Sequence, residues 1–589
     1  MDLFNVLEMI GGLALFLYGM NVLGEGLSRM SGGKLEKILE KLTSTPIMGA
    51  LLGAGVTAII QSSSATTVMV VGFVNSGIMK LKQAVGIILG ANVGTTITAW
   101  ILSLNDLEGG SFVMRLLKPS SFTPIMAIVG VGILMMSKKD KMKDLATILV
   151  GFAVLMIGMD IMSGAVSGLK DVPEFTKILT MFSNPILGLL AGLILTAIIQ
   201  SSSASVGILQ ALCTTGAVGY ATAIPVIMGQ NIGTCVTALL SSIGASKDAR
   251  RAALIHLYYC ITKTSTFMIV FYTLHAIIDF PFMAGTISSA GVAVVHSLFN
   301  IVACIIFLPF SQMFVKLVYL TIPEKEDPVV LTAEEQELRS LDARFLDTPG
   351  LALSHAKKVV LSMAAMAKKS INYSVELLKD YSEEKAAEVV RLETEVDKFE
   401  DELGTYLMKI SSRDLSEKES QTLSMLLHCI GDFERISDHA LNLKEAADEI
   451  HDKELKFSDK ASEELNVFTA AIQDILTLSI EVLDKEDAHL ALLVEPLEEV
   501  IDQLNADIKK RHVKRLRKGK CTIEMGFVLT DITTNLERVS DHCSNVAVSL
   551  LQGEEEGFEA HEYKDALKTE DNVDFQGRVL AYRNKYVLP

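Results

Sequence analysis

The nonapeptide Thr57-Ala-Ile-Ile-Gln-Ser-Ser-Ser-Ala65 recurs unchanged as Thr196-Ala-Ile-Ile-Gln-Ser-Ser-Ser-Ala204, 139 positions later. Each copy places an amide and three hydroxyls in the middle of a long apolar stretch. A helix broken at Gln-Ser-Ser-Ser aims free backbone N–H groups and the positive end of the next half-helix at the break, which suits an anion. The hydroxyl and amide oxygens, with carbonyls freed by the break, suit a hard cation such as sodium. Two such tips meeting from opposite faces of a membrane make one shared site. Its lining is Gln61, Ser62, Ser63, Ser64 and Thr66 from one copy and Gln200, Ser201, Ser202 and Ser203 from the other. Polar residues in membrane helices also serve simply to bond helix to helix. Duplication of the whole motif at matched positions favours the site.

The same offset carries Gly12 to Gly151, Gly19 to Gly158, Pro46 to Pro185 and Gly49 to Gly188. It also carries Gly90-Ala-Asn92-Val-Gly94-Thr95 to Gly229-Gln-Asn231-Ile-Gly233-Thr234. Asn92 and Asn231 offer an acceptor and two donors each, and Thr95 and Thr234 offer hydroxyls, so these four are expected beside the hairpin residues. Asp160 stands where the register gives Asn21, a carboxylate without a counterpart and a candidate for an extra ion site. Glu25 and Lys263 are the other ionisable residues expected at membrane depth; Lys263 is expected to snorkel or to pair.

The elements that hold these residues follow from hydropathy and length. The chain has 589 residues, half of them hydrophobic, and a mean hydropathy of +0.38. Apolar runs fill residues 1 to about 320, and charged amphipathic sequence follows, so a membrane domain precedes a water-exposed one. Spans are expected at about 5–30, 81–104 (interrupted at Gly90–Thr96), 121–136, 146–168, 219–243, 252–277 and 287–318. Residues 46–78 and 184–217 each hold two apolar halves too short to cross a hydrocarbon core of about 30 Å, and are expected to be re-entrant hairpins. The basic clusters Lys34/Lys37/Lys41, Lys138/Lys139/Lys141/Lys143 and Lys247/Arg250/Arg251 are expected in the cytoplasm. With each hairpin returning to the side it entered, the repeats (about 12–104 and 151–243) come out inverted, an arrangement suited to alternating access.

Residues 321–345 are expected to be a polar linker, 346–552 a helical bundle and 553–589 an unpatterned tail. The bundle repeats as well: Glu434-Arg-Ile-Ser-Asp438-His439 returns as Glu537-Arg-Val-Ser-Asp541-His542, with Glu393/Asp397 and Glu498/Asp502 upstream. Two three-helix units are the simplest reading. Each acidic pair is spaced i, i+4 and shares a helix face. Such pairs either complete metal-bridging carboxylate clusters or form a solvated acidic face, and pattern alone favours the solvated face. The net charge of −17 argues against nucleic acid as a partner. The seven cysteines show no paired spacing and are expected to be buried and reduced. The first apolar segment lacks a basic leader and cleavage site and is expected to be retained.

The paired Gln-Ser-Ser-Ser motifs, each followed by Gly-x-Asn-x-Gly-Thr, resemble those of the type II sodium-dependent phosphate cotransporters. The C-terminal half, with its repeated Glu-x-x-x-Asp pairs, resembles the PhoU domain. The fusion is similar to the bacterial Na/Pi-cotransporter proteins. The resemblance implies an all-α polytopic protein of the bacterial inner (plasma) membrane, its C-terminal domain cytoplasmic. It implies inorganic phosphate as substrate, with sodium ions, at Ser62–Ser64 and Ser201–Ser203, with Gln61 and Gln200 beside them. It also implies divalent or ferric metal at Glu393, Asp397, Glu434, Asp438, Glu498, Asp502, Glu537 and Asp541. One departure stands out: a His-x-x-x-Asn pattern reads His256-Leu-Tyr-Tyr-Cys260 here, so an amide becomes a thiol. Export of phosphate, carriage of another oxyanion, membrane-bound phosphate sensing and homo-oligomerisation stay open. No phosphate-cradling Gly-x4-Gly-Lys-Ser/Thr, nucleophile elbow or zinc spacing is present, which argues against an enzyme.

Overall fold

A computed structural model describes residues 3–31, 45–104, 119–137, 139–166, 181–323, 332–552 and 572–589. Lys34, Lys37, Lys41 and Lys138, residues 324–331 of the expected linker and residues 553–571 of the expected tail lie outside the described residues. The chain divides into two compact units, Met1–Val330 and Leu331–Pro589. Both are helical, and among the described residues one isolated antiparallel bridge, Gly219 to Thr286, is the sole β pairing.

The first unit contains α1 (Leu3–Ser31), α2 (Pro46–Ile60), α3 (Ser63–Asn75), α4 (Leu81–Gly94), α5 (Thr96–Ser103), α6 (Pro119–Met136) and α7 (Asp140–Val166). It continues with α8 (Pro185–Ile199), α9 (Ser202–Cys213), α10 (Tyr220–Gly233), α11 (Cys235–Ser241), α12 (Lys247–Ile278), α13 (Ser289–Phe307) and α14 (Ser311–Thr321). Local chemistry starts and stops the hairpin helices alike in both copies. Thr45 caps α2 and Asn184 caps α8, each followed by proline, whose missing N–H costs nothing in a first turn. Both helices then stop at glutamine in the left-handed region, Gln61 at φ 60° and Gln200 at φ 58°. A side chain there is strained, at an order of magnitude of 1–3 kcal/mol.

Glycine decides how closely the helices pack. A Cβ on Gly90 would lie 1.9 Å from Ala50 O, and one on Gly94 2.4 Å from Ala54 O, so α2 and α4 run parallel, backbone to backbone. The second copy repeats this: a Cβ on Gly229 would lie 1.9 Å from Leu189 O, and one on Gly233 2.6 Å from Leu193 O. Helices α1 and α7 also touch through glycine, Gly12 against Gly158 O and Gly19 against Gly151 O. The pairing of 12 with 158 and 19 with 151 makes these helices antiparallel, and each glycine of α1 meets the repeat equivalent of the other.

The expected interruption at Gly90–Thr96 is narrower than its glycine content predicts. It falls on Thr95 alone, with backbone at φ −58° and ψ −27°, still helical. Thr234 is the same at φ −63° and ψ −23°. The glycines are used for close approach to the hairpin, not for unwinding.

The second unit contains α15 (Pro349–Leu377), α16 (Glu383–Ser411), α17 (Glu417–Asp452), α18 (Asp459–Lys485), α19 (Val494–Arg517), α20 (Ile523–Gln552) and α21 (Val573–Lys585). Ser382, Ser416 and Ser458 cap α16, α17 and α18 through their hydroxyls. Helices α15–α17 pack on one another, as do α18–α20, and α17 packs on α20 and α15 on α18. The two three-helix units expected from the sequence are present, around a core that includes Phe399, Phe433 and Phe468.

Seven described helical segments are long and apolar enough to cross a membrane; six lie in the first unit, and the seventh is α18. Alternation of apolar and polar faces sets α18 apart, since Phe468, Ile472, Ile475 and Leu476 are buried within the bundle. Two expected boundaries shift. The linker region already belongs to the bundle near Phe345, fully buried, where Tyr406 OH donates to Asp342 O at 3.0 Å. The tail ends in α21, which packs against α19 and sends the Tyr586 hydroxyl to Asp474. Its buried Phe575, Val579 and Tyr586 keep helical spacing, over a helix of 13 residues.

Candidate functional site

Each break is built by its own first serine. Ser62 Oγ accepts from Ala65 N at 3.1 Å, and Ser201 Oγ from Ala204 N at 3.2 Å, so these two hydroxyls cap α3 and α9. Ser63 and Ser202 come next and are buried. Among the described residues neither of their hydroxyls has a hydrogen-bond partner. A ligand at the break therefore meets a free hydroxyl and the first-turn N–H groups of a half-helix, twice. Ser64 is half-buried. Thr66 Oγ1 donates to Ser62 O at 3.0 Å and receives a hydrogen bond from Thr57 Oγ1 at 3.0 Å, which ties the two arms of the first hairpin together.

The two tips meet through one hydroxyl. Thr98 on α5 donates to Gln61 Oε1 at 2.8 Å, and Ser203 Oγ donates to Thr98 Oγ1 at 3.4 Å. Gln61 also turns its amide nitrogen back to Ala58 O. Behind this link, Gln210 Nε2 donates to Ala99 O and Ser289 O, both at 2.9 Å, and Gln230 Nε2 donates to Ser205 O at 3.0 Å. Thr98 was not singled out by sequence. The signal is there, since Gly-Thr-x-x-Thr-Ala occurs at Gly94–Ala99 and again at Gly233–Ala238.

Among the described residues the hydroxyls of Thr95 and Thr234 form no hydrogen bond to the residues of the breaks. They turn back to Ala91 O (3.1 Å) and Asn231 O (2.6 Å) on their own helices. Asn92 and Asn231 converge instead on α12. Lys263 Nζ donates to Asn92 Oδ1 at 2.9 Å and to Asn231 Oδ1 at 3.0 Å, and its third hydrogen bond goes to Asn300 Oδ1 on α13 at 2.8 Å. Lys263 is wholly buried. It neither snorkels nor pairs with a carboxylate: among the described residues it forms no ion pair. Cys260, one turn earlier, lies with Cys235 and His256 such that one ligand atom of each is within 4.8 Å of the others. The ammonium close by opposes a further cation among them. Asp160 lies on an exposed face of α7, and no hydrogen bond joins it to either break.

In the second unit six of the eight acidic residues gather into two matching sets. Glu393, Asp397 and Asp438 have carboxylate oxygens within 4.8 Å of one another, as do Glu498, Asp502 and Asp541. Glu434 and Glu537 fall outside these sets. Burial, then the neighbouring Asp438, pushes the Glu434 carboxyl up to about 7. Burial, then Asp397, raises Glu393, and burial, then Asp438, raises Asp397. Three converging carboxylates are a hard-cation donor set, so the residues fit a divalent or ferric ion. The histidines of the repeated motif hold α17 to α20: His439 Nδ1 is hydrogen-bonded to Asn535 Oδ1 and His542 Nδ1 to Asp432 Oδ1, each at 2.9 Å.

A helical unit with several apolar segments of spanning length, whose two identical polar breaks share a hydroxyl link, defines a polytopic membrane transport protein. Comparison with known proteins gives the family. Residues 15–164 and 168–292 match the Na+/Pi-cotransporter family, and residues 360–447 and 468–550 match the PhoU domain. The protein named "Putative inorganic phosphate export protein YjbB" of Salmonella typhimurium is 25% identical over 573 residues, 95% of this chain and 100% of that one. YqeW of Bacillus subtilis is 30% identical over 313 residues, 53% of this chain and 96% of YqeW. Sodium-dependent phosphate transport protein 2A of Rattus norvegicus is 28% identical over 181 residues, 30% of this chain and 27% of the rat protein. Among solved structures, PhoU from Pseudomonas aeruginosa matches at 19% identity and a TM-score of 0.33, over 34% of this chain and 96% of that one. The chain belongs to the Na+/Pi-cotransporter family, with a PhoU domain in its C-terminal part.

Proposed function

We propose that this protein carries inorganic phosphate across the bacterial plasma membrane together with sodium, by alternating access between two inverted repeats. The observation that carries this reading is the Gln61–Thr98–Ser203 link, which draws two identical Gln-Ser-Ser-Ser breaks to one place. Phosphate is received by the first-turn N–H groups of α3 and α9 and by the Ser63 and Ser202 hydroxyls, and sodium by hydroxyl and amide oxygens around them. The antiparallel, glycine-matched contact of α1 with α7 supports inversion of the repeats. The PhoU domain is cytoplasmic, binds metal at its two three-carboxylate sets and regulates transport.

A second reading concerns direction. The relatives in Salmonella typhimurium and Escherichia coli carry names that say phosphate export, and the same site serves export when the gradients favour it. Purified protein in proteoliposomes is the test. Labelled phosphate should move down its own gradient, faster with a parallel sodium gradient and slower against one. No movement under any gradient would leave a sensor, and movement indifferent to sodium would remove the coupling.

A further inference from the structure

The buried ammonium of Lys263 sits in a cage made for a cation. Its three hydrogen bonds run to three side-chain carbonyl oxygens, those of Asn92, Asn231 and Asn300, at 2.8–3.0 Å. Each amide nitrogen is held by the carbonyl one turn back on its own helix: Asn92 to Ile88 O (2.9 Å), Asn231 to Ile227 O (2.9 Å) and Asn300 to His296 O (3.0 Å). The oxygens are therefore fixed inwards, and none of the three amides can turn without losing a hydrogen bond. The rings of Tyr259 and Phe299 complete the enclosure, with centroids 4.8 and 5.2 Å from Nζ.

Three features set this cage apart from an ordinary buried lysine. Three acceptors match the three protons of an ammonium, so the charged form leaves no group unsatisfied. Among the described residues no carboxylate pairs with it, although an isolated buried charge is costly, and such residues at membrane depth are functional by default. Two of the oxygens come from repeat-equivalent positions, one from each Gly-x-Asn-x-Gly-Thr, so the ammonium stands where the two halves meet. A set of neutral, hard oxygens suits a small monovalent cation, and here the occupant is covalently attached.

We propose that Lys263 is a tethered cation. It fills a position between the repeats that would otherwise take a free monovalent cation, and it supplies a fixed positive charge that a mobile ion would have to bring. Resting on the transport reading above, this means that phosphate moves with one fewer mobile cation than the oxygen donors provide for. Sodium coupling is then confined to the hairpin breaks, and Asn92 and Asn231 bind no sodium while Lys263 is present.

The test uses the full-length protein and three forms of it: wild type, Lys263→Ala and Lys263→Met. Melting midpoints are measured in sodium, methylammonium and N-methylglucamine chlorides at equal ionic strength. Removal of the tether should let methylammonium and sodium enter the cage, raising the midpoint of Lys263→Ala saturably by roughly 2–4 °C. Wild type should show no methylammonium response, because its cage is full. Lys263→Met fills the space without a charge, so it should melt lower than wild type and respond to neither added ion at this site. In proteoliposomes the sodium order of phosphate flux should rise by about one in Lys263→Ala.

Three results overturn the proposal: Lys263→Met as stable and as active as wild type, a folded Lys263→Ala with no cation response, or Lys263→Ala that fails to fold in every cation. The last would make Lys263 a structural strut. The melting assay needs no phosphate movement, so wild type without flux would sink the transport reading while the cage is still judged by its own measurement.

Discussion

Gln61 receives a hydrogen bond from Thr98 at 2.8 Å, and the equivalent pair, Gln200 and Thr237, is apart. Gln61 is buried and Gln200 exposed, though their backbones differ by only 2° in φ. The Thr237 hydroxyl is buried without a partner, and among the described residues the Gln200 side chain has none. The two halves thus hold the same pieces in different states, one latched and one open.

That difference predicts opposite effects from one kind of substitution. Thr98→Val removes the latch that is closed here and should shift the chain away from this state. Thr237→Val removes the latch that is open and should favour this state. Hydrogen exchange at the backbone amides of Gln200–Ser203 in the full-length protein reads the balance: exchange should slow in Thr98→Val and hold or rise in Thr237→Val. A neutral hydrogen bond is worth about 0.5–1.5 kcal/mol, so each shift should be a few-fold to about tenfold in the state ratio. The same response in both backgrounds would remove the latch.

The free hydroxyls make a second case. Ser63→Ala and Ser202→Ala each delete a donor that has no protein partner, so folding should be untouched. A hydrogen bond to a charged ligand contributes about 1.5–3 kcal/mol, so each variant should weaken phosphate binding roughly tenfold to a hundredfold. Ser62→Ala and Ser201→Ala should instead act through the lost caps, costing about 1 kcal/mol of stability. Binding of labelled phosphate to purified protein separates the two classes. Unchanged binding in Ser63→Ala and Ser202→Ala would move the substrate elsewhere.

Much of this arrangement was legible because it is written twice. Identical nonapeptides, proline at the start of α2 and of α8 and glycine at matched intervals marked the two broken helix pairs and the helices packed beside them. The acidic pairs of the PhoU domain were visible through i, i+4 spacing in two copies, but spacing favoured a solvated face. Only helix packing brings Asp438 to Glu393 and Asp397 and brings Asp541 to Glu498 and Asp502. Lys263 stood out as an ionisable residue at membrane depth, but its partners did not, since it and Asn300 come from helices outside the repeats and meet Asn92 and Asn231 only through tertiary packing. Thr98 was hidden differently: serine and threonine are common in membrane helices, and only its place opposite Gln61 gives it a role. Helix α21 was missed because it is short, although its buried Phe575, Val579 and Tyr586 keep helical spacing.

Glycine at the parallel helix pairs gives a stability prediction. A Cβ at Gly90 or Gly229 would lie 1.9 Å from a backbone oxygen, which cannot yield as a flexible side chain does. Gly90→Ala and Gly229→Ala should separate hairpin from helix and cost more than the roughly 1–3 kcal/mol usual for overpacking. Gly132, where nothing lies within 4 Å of an added Cβ, is the control. Gly132→Ala should be neutral or slightly stabilising, by up to about 1 kcal/mol, because alanine favours the helix. Detergent melting of the three variants decides it, and equal midpoints would mean the backbones are further apart than described.

The acidic sets of the PhoU domain tie stability to pH and metal. The Glu434 carboxyl stands at about 7 in the folded chain, against an ordinary value of 4.5, because of burial and then Asp438. Glu393 and Asp397 are raised in the same direction. A raised carboxyl binds its proton more tightly when folded, so the unfolded chain holds fewer protons between pH 4.5 and about 7. Stability therefore falls as pH rises through that window. A divalent or ferric ion among Glu393, Asp397 and Asp438 replaces the proton and should reverse the slope, since it favours the ionised form. Hydrogen exchange of the amides of α16 and α17 in the full-length protein measures this locally. Without metal, protection should drop between pH 5 and pH 7.5; added metal should restore it at the higher pH. Glu434→Gln should flatten the metal-free profile, and Asp397→Asn should abolish the rescue. Protection that ignores both pH and metal would return these carboxylates to a solvated face.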